Sequence, residues 1–314
     1  MSRLMNVASG PYAPPTPAHE MTAVSADGAR LHVEVHGPVD DGQAPAVVLA
    51  HGWTCSTAFW AAQIRELAVD HRVIAYDQRG HGRSPAGSAC STDSLADDLE
   101  AVLKATLAPG EKAVIVGHSM GGMTVMAAAA RPGFREHATA VLLCSTGASR
   151  LVAESTVLPL RAGRLRTWLT GRVLGSRAPL GPVTPIARAI LKYATMGPGS
   201  APHMVEACAR IVHACPRKVR HAWSRVLDLL DLDHGVRELA LPTAVIVGTA
   251  DRLTPPVHAR SLAAALPNCL GVTELPGLGH MTPIEAPELV TAKIRELVTT
   301  YPGTRTHTQV KEGA

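Results

Sequence analysis

Aromatic residues are scarce in this 314-residue chain: two Phe, four Trp and four Tyr, 3% in all. Any core or pocket it builds is therefore mostly aliphatic. Charge is nearly balanced, with 30 Lys and Arg against 26 Asp and Glu, which argues against nucleic acid as the main partner. No apolar run reaches the roughly 18 residues that a membrane span requires. Among Cys55, Cys90, Cys144, Cys208, Cys215 and Cys269 there is no C-x-x-C pair, and none sits beside a His at metal-ligand spacing. No metal and no other cofactor is expected. A chain of this size does not need disulfides, so the thiols read as reduced and the protein as cytoplasmic. The opening MSRLMNVASGPYAPPTPAHE lacks the apolar h-region of a secretory signal.

Hydrophobic residues make up 46% and charged ones 18%, enough to bury a sizeable core. Short runs rich in Val, Ile, Leu and Ala fall at 31–36, 46–50, 72–76, 113–116, 140–144, 243–247 and 271–275. Helix-like segments such as 94–106 and 123–130 separate them. Continuous apolar strands fit a parallel sheet covered on both faces. The alternation of β and α fits right-handed crossovers.

The rhythm stops between Thr146 and His234, where helical patches are broken by Gly and Pro. This stretch reads as a helical cap inserted between two strands. The expected organisation is a disordered tail over 1–24, an α/β core over 25–145 and 235–300, the cap over 146–234, and a second disordered tail over 301–314. The cap carries 11 Arg and 2 Lys against five acids, a net of +8 in a chain of +4. That excess suits an anionic substrate, an acidic carrier protein or a membrane surface. Leu165, Trp168, Leu169 and Val173 recur at helical spacing and are expected to pack on the domain below. Arg161, Arg164, Arg166 and Arg172 would snorkel from that contact.

Gly117-His118-Ser119-Met120-Gly121 fits G-x-S-x-G between a strand and a helix. That context makes a sharp turn holding a serine exposed at the carboxyl end of a sheet. A serine nucleophile needs a base, and the base needs an orienting acid. His280 sits in the Gly-rich loop LPGLGHM after the last strand. Asp251 sits in GTADR, just past another strand end. Singly, Asp251 also reads as a turn residue and His280 as an ordinary loop histidine. Together, in the order Ser119, Asp251, His280, they read as a triad. Met120 N–H opens a helix, and Trp53 N–H follows a strand in HGW, so both are candidates to hold an oxyanion. His51 is read as a hydrogen-bonding loop residue and DQRGHGRS (77–84) as a loop bracing the site. Trp53, His118 and Met281 are candidate substrate contacts.

HGW, DQRGHGRS, GHSMGG, GTADRLTP and GLGHM together resemble the α/β-hydrolase superfamily, specifically its cap-bearing serine esterases and lipase-like members. The resemblance runs from about residue 31 to 298. It implies an eight-stranded, mostly parallel sheet flanked by helices, with Ser119 as nucleophile, His280 as base, Asp251 as acid, and Trp53 and Met120 as oxyanion donors. The implied activity is hydrolysis of a small to medium, largely apolar carboxylic ester or lactone. The same triad also serves thioester hydrolysis, acyl transfer or cyclisation, carbon–carbon bond hydrolysis and perhydrolysis. A non-catalytic ligand-binding protein of the same fold is the reading from another class.

Overall fold

The computed structural model describes residues 12–38, 45–87 and 89–302. Eight strands form one sheet: β1 (His19–Val24), β2 (Arg30–His36), β3 (Ala46–Ala50), β4 (Val73–Tyr76), β5 (Ala113–His118), β6 (Ala138–Cys144), β7 (Thr243–Gly248) and β8 (Cys269–Leu275). Their spatial order is β1-β2-β4-β3-β5-β6-β7-β8. Strand β2 runs antiparallel to both its neighbours, and the pairs from β4 through β8 are parallel. Every residue of β3, β4, β5 and β7 is buried, which is why these strands are continuous apolar runs.

Successive side chains alternate between two cores, as the two-residue strand repeat dictates. Val48, Ile115, Leu143 and Val245 pack on one face with α2 (Thr92–Thr106) and α3 (Met120–Ala128). Val47, Val114, Leu142 and Ile246 pack on the other with Trp60 and the helices α1 (Ala61–Leu67) and α13 (Pro287–Thr300). Helix α4 (Pro132–His137) leads into β6, α11 (Pro256–Ala265) links β7 to β8, and α12 (Thr282–Glu285) follows β8.

The expected tail over 1–24 is corrected at its end, because residues 19–24 form the edge strand β1. It went unread because its side chains are mostly polar or exposed and its pairing with β2 is through the backbone. The rest of that expectation falls partly on residues 1–11, and the C-terminal tail on 303–314, all outside the described residues.

Between β6 and β7 lie α5 (Leu151–Glu154), α6 (Arg164–Leu174), α7 (Pro185–Thr195), α8 (Pro202–Ala214), α9 (Arg217–Asp228) and α10 (Asp233–Glu238), with no strand among them. Trp223 of α9 is wholly buried in the core and donates its indole N–H to Arg79 O at 3.2 Å. In contrast, Leu165, Trp168 and Val173 of α6 do not pack on the domain below, and Leu169 is half-buried. They are exposed, Leu165 at 67% and Trp168 at 61%. The helix instead buries Arg166 and Thr170. The physical reason is that Arg166 Nη2 donates to Ala153 O of α5 at 2.7 Å, which turns the arginine side inward.

Candidate active site

Strand β5 ends at His118 and α3 begins at Met120, so Ser119 alone makes the reversal. Its backbone is in a strained, positive-φ conformation (φ 51°, ψ −117°). Its neighbours over-determine that conformation. Ser119 N donates to Cys144 O at 2.9 Å, and Ser119 O accepts from Thr146 Oγ1 at 2.8 Å. The flanking glycines are required by close approach: a Cβ on Gly117 would lie 2.5 Å from Gly121 O, and one on Gly121 would lie 2.0 Å from Ala50 O.

Asp251 lies in the loop after β7, and its side chain is fully buried. Oδ1 accepts the N–H groups of Leu253 and Thr254, each at 2.9 Å. Oδ2 accepts from Thr254 Oγ1 at 2.9 Å and from His280 Nδ1 at 2.8 Å. A carboxylate on Nδ1 fixes the proton there and leaves Nε2 with its lone pair. A histidine so held can accept a proton from a nearby hydroxyl.

Ser119 is tied to the His280 loop through its neighbour: His118 Nε2 donates to His280 O at 2.8 Å, and the two imidazole rings lie 4.9 Å apart. Among the described residues no hydrogen bond joins Ser119 Oγ to His280. Such contacts commonly tighten only around the reacting group. Burial, then the nearby His280, holds the His118 pKa well below the ordinary histidine value, so His118 is neutral. Of the candidate substrate contacts, His118 and Met281 are both buried in this framework. Trp53 is partly exposed, and its indole N–H donates to Arg220 O of α9 at 3.1 Å.

The HGW loop runs alongside. A Cβ on Gly52 would lie 3.1 Å from Ser119 Cβ. Among the described residues no hydrogen bond is made by Trp53 N–H or Met120 N–H. His51 is a loop residue: Nδ1 bonds Gly52 O at 2.8 Å, Nε2 accepts Gln78 N–H at 3.0 Å, and burial pushes its pKa down to about 3. The 77–84 loop braces this segment through Thr54 N–H, which donates to His81 Nε2 at 3.2 Å.

Two residues escaped the sequence reading. Thr254 Oγ1 touches both Asp251 Oδ2 and His280 Nδ1, the latter at 3.1 Å. Its only sequence signal is its place three residues after Asp251. Glu285 is buried below His280. It accepts from Gly197 N at 2.6 Å, Ser200 Oγ at 2.6 Å, and Gly279 N and Met281 N at 3.1 Å each. It joins the inserted helices to the His280 loop, and nothing in its local sequence announces that.

Glu20, His32 and Glu34 bring ligand-type atoms within 4.8 Å of one another at the β1–β2 edge. These groups are already engaged: Arg83 takes Glu20 at 2.6 Å, and His32, His36 and Thr57 surround Glu34. A cleft of about 830 Å³ lies between residues 79–92 and α9, away from Ser119.

Residues 45–287 match a family model described as alpha/beta hydrolase fold. A putative carbamate hydrolase of Variovorax paradoxus is 46% identical over 96 residues, 30% of this chain and 34% of the relative. A 3-oxoadipate enol-lactonase of Acinetobacter baylyi is 32% identical over 108 residues, 34% of this chain and 39% of the relative. The matched stretches thus span little more than a third of these curated relatives. An esterase from a Rhodococcus species superposes with a TM-score of 0.74 at 24% identity, covering 90% of this chain and 99% of that one.

Proposed function

The chain belongs to the alpha/beta hydrolase fold family, and on that premise we propose that it is a serine hydrolase cleaving a carboxylic ester or lactone. Ser119 Oγ attacks the acyl carbon while His280 Nε2 takes its proton. Asp251 keeps the Nδ1 proton in place and stabilises the imidazolium that forms. The N–H groups of Trp53 and Met120 hold the developing oxyanion. His280 then gives its proton to the leaving alkoxide, and water activated by the same histidine releases the acid from Ser119. The helices α5 to α9, within 146–234, act as the cap over this chemistry.

One observation carries the reading. A strained serine ends β5, and its neighbour His118 bonds the backbone of a histidine whose Nδ1 lies 2.8 Å from a buried carboxylate. The enol-lactonase relative favours including lactones among the substrates. The test is labelling with a fluorophosphonate, followed by hydrolysis of short p-nitrophenyl esters and of lactones. The expected result is one adduct, at Ser119, and loss of turnover in Ser119→Ala. Undiminished turnover by that variant would overturn the proposal.

A further inference from the structure

From Ser155 to Val205 the chain contains seven basic residues and not one Asp or Glu. That acid-free stretch includes α6 and α7, and both helices turn apolar side chains outward. On α6 these are Leu165, Trp168 and Val173. On α7 they are Ile186 (73% exposed), Ile190 (64%) and Tyr193, spaced i, i+4, i+7 along one stripe. On α6, meanwhile, Arg166 Nε and Thr170 Oγ1 are buried without partners. The outward sides of both helices are thus apolar in an aqueous surround.

We propose that α6 and α7 dock this protein on an anionic lipid surface. Three features select that occupant. Arg161, Arg164, Arg172 and Arg177 are exposed among the apolar residues, the pattern of helices that lie in a lipid headgroup region. Trp168, with the Arg172 guanidinium 5.9 Å from its ring, is an amphipathic pair suited to the membrane–water boundary. A second copy of the chain is disfavoured, because a self-complementary contact would bring the exposed Arg161, Arg164, Arg172 and Arg177 of one copy towards those of the other.

The docking face is wired to the catalytic loops. The Arg252 guanidinium, next to Asp251, lies 4.5 Å from the Tyr193 ring, and its Nη1 donates to Tyr193 O at 3.0 Å. Two residues on, Thr195 O accepts His280 N–H at 2.8 Å. Helices seated on lipid would hold the loops of Asp251 and His280 close to that surface. The substrate class this implies, which rests on the hydrolase reading, is an ester that partitions into lipid.

The test is flotation of full-length Ser119→Ala protein with vesicles of phosphatidylcholine alone and of phosphatidylcholine with phosphatidylglycerol. Using the serine variant keeps lipid binding separate from hydrolysis. Binding to the anionic vesicles is expected, about tenfold or more tighter than to neutral ones and weakened by salt. The Trp168→Ser/Ile186→Ser/Ile190→Ser variant, and separately Arg161→Glu/Arg164→Glu/Arg172→Glu, should each lose about tenfold or more of that binding. With Ser119 restored, the same variants should keep the melting temperature and the turnover of a water-soluble ester. Three results would overturn the proposal: no flotation with anionic vesicles, flotation that the variants do not change, or a concentration-dependent dimer that the Trp168→Ser/Ile186→Ser/Ile190→Ser variant abolishes. If vesicles bind while Ser119 proves inert to fluorophosphonate, the docking surface stands and the hydrolase reading falls.

Discussion

At the carboxyl edge of the sheet, both oxygens of Asp251 are saturated by hydrogen bonds and the flanking glycines touch neighbouring backbone. On α6, buried Arg166 Nε and Thr170 Oγ1 lack partners while Leu165 and Trp168 stand in solvent. The first region is built for one geometry. The second is a surface whose polarity is arranged for something beyond the chain itself. Close packing and saturated polar groups mark where one geometry is fixed. Unsatisfied groups and bare apolar residues mark where a further contact is expected.

The sharpest way to break this contrast is at the proposed nucleophile. Ser119→Ala should lower kcat by about 10⁵-fold or more with the fold intact, measured on a p-nitrophenyl ester alongside circular dichroism. Asp251→Asn should lower kcat by about 10⁴-fold, because an amide no longer holds the Nδ1 proton or stabilises the imidazolium. A folded Asp251→Asn enzyme with near-normal kcat would mean that another acid serves His280. Leu99→Ala, in the core on α2, should cost about 2–5 kcal/mol of unfolding free energy, read by urea denaturation. Thr254→Val should cost about ten- to a hundredfold in kcat, and Thr254→Ser should restore most of it. Such rescue separates a positioning hydroxyl from mere packing. Trp168→Ser, at the other extreme, should shift unfolding free energy by less than about 0.5 kcal/mol, since its side chain is already in water. A large loss there would show that α6 packs inward after all.

Much of the core was legible in the chain because β3, β5 and β7 are buried on both faces and their sequences are uninterrupted apolar runs. Strand β1 was not, since an edge strand such as HEMTAV bonds through its backbone and leaves little hydrophobic signal. The Ser119 turn could be read because steric necessity imposes glycine on both sides. Asp251 and His280 could be read because each follows a strand in a Gly-containing loop. Thr254 and Glu285 could not: their partners arrive from elsewhere, Glu285 meeting Gly197 across 88 residues. The periodicity of α6 correctly marked a helix but misassigned its inner face. Spacing locates a stripe but not which stripe turns inward, where Arg166 meets Ala153 O.

Glu285 has one more consequence, for exchange of parts between relatives. Its carboxylate grips Gly197 and Ser200 on one side and Gly279 and Met281 on the other. Thr195 O meanwhile receives the amide of His280. A graft that swaps the whole helical insertion for a foreign one would strip the histidine loop of the Thr195 contact and leave the buried carboxylate without its Gly197 and Ser200 donors. A chimera that keeps residues 195–200 and exchanges only what precedes them leaves every one of these bonds in place. In this chain the seam for exchanging the inserted helices therefore lies on the N-terminal side of Thr195.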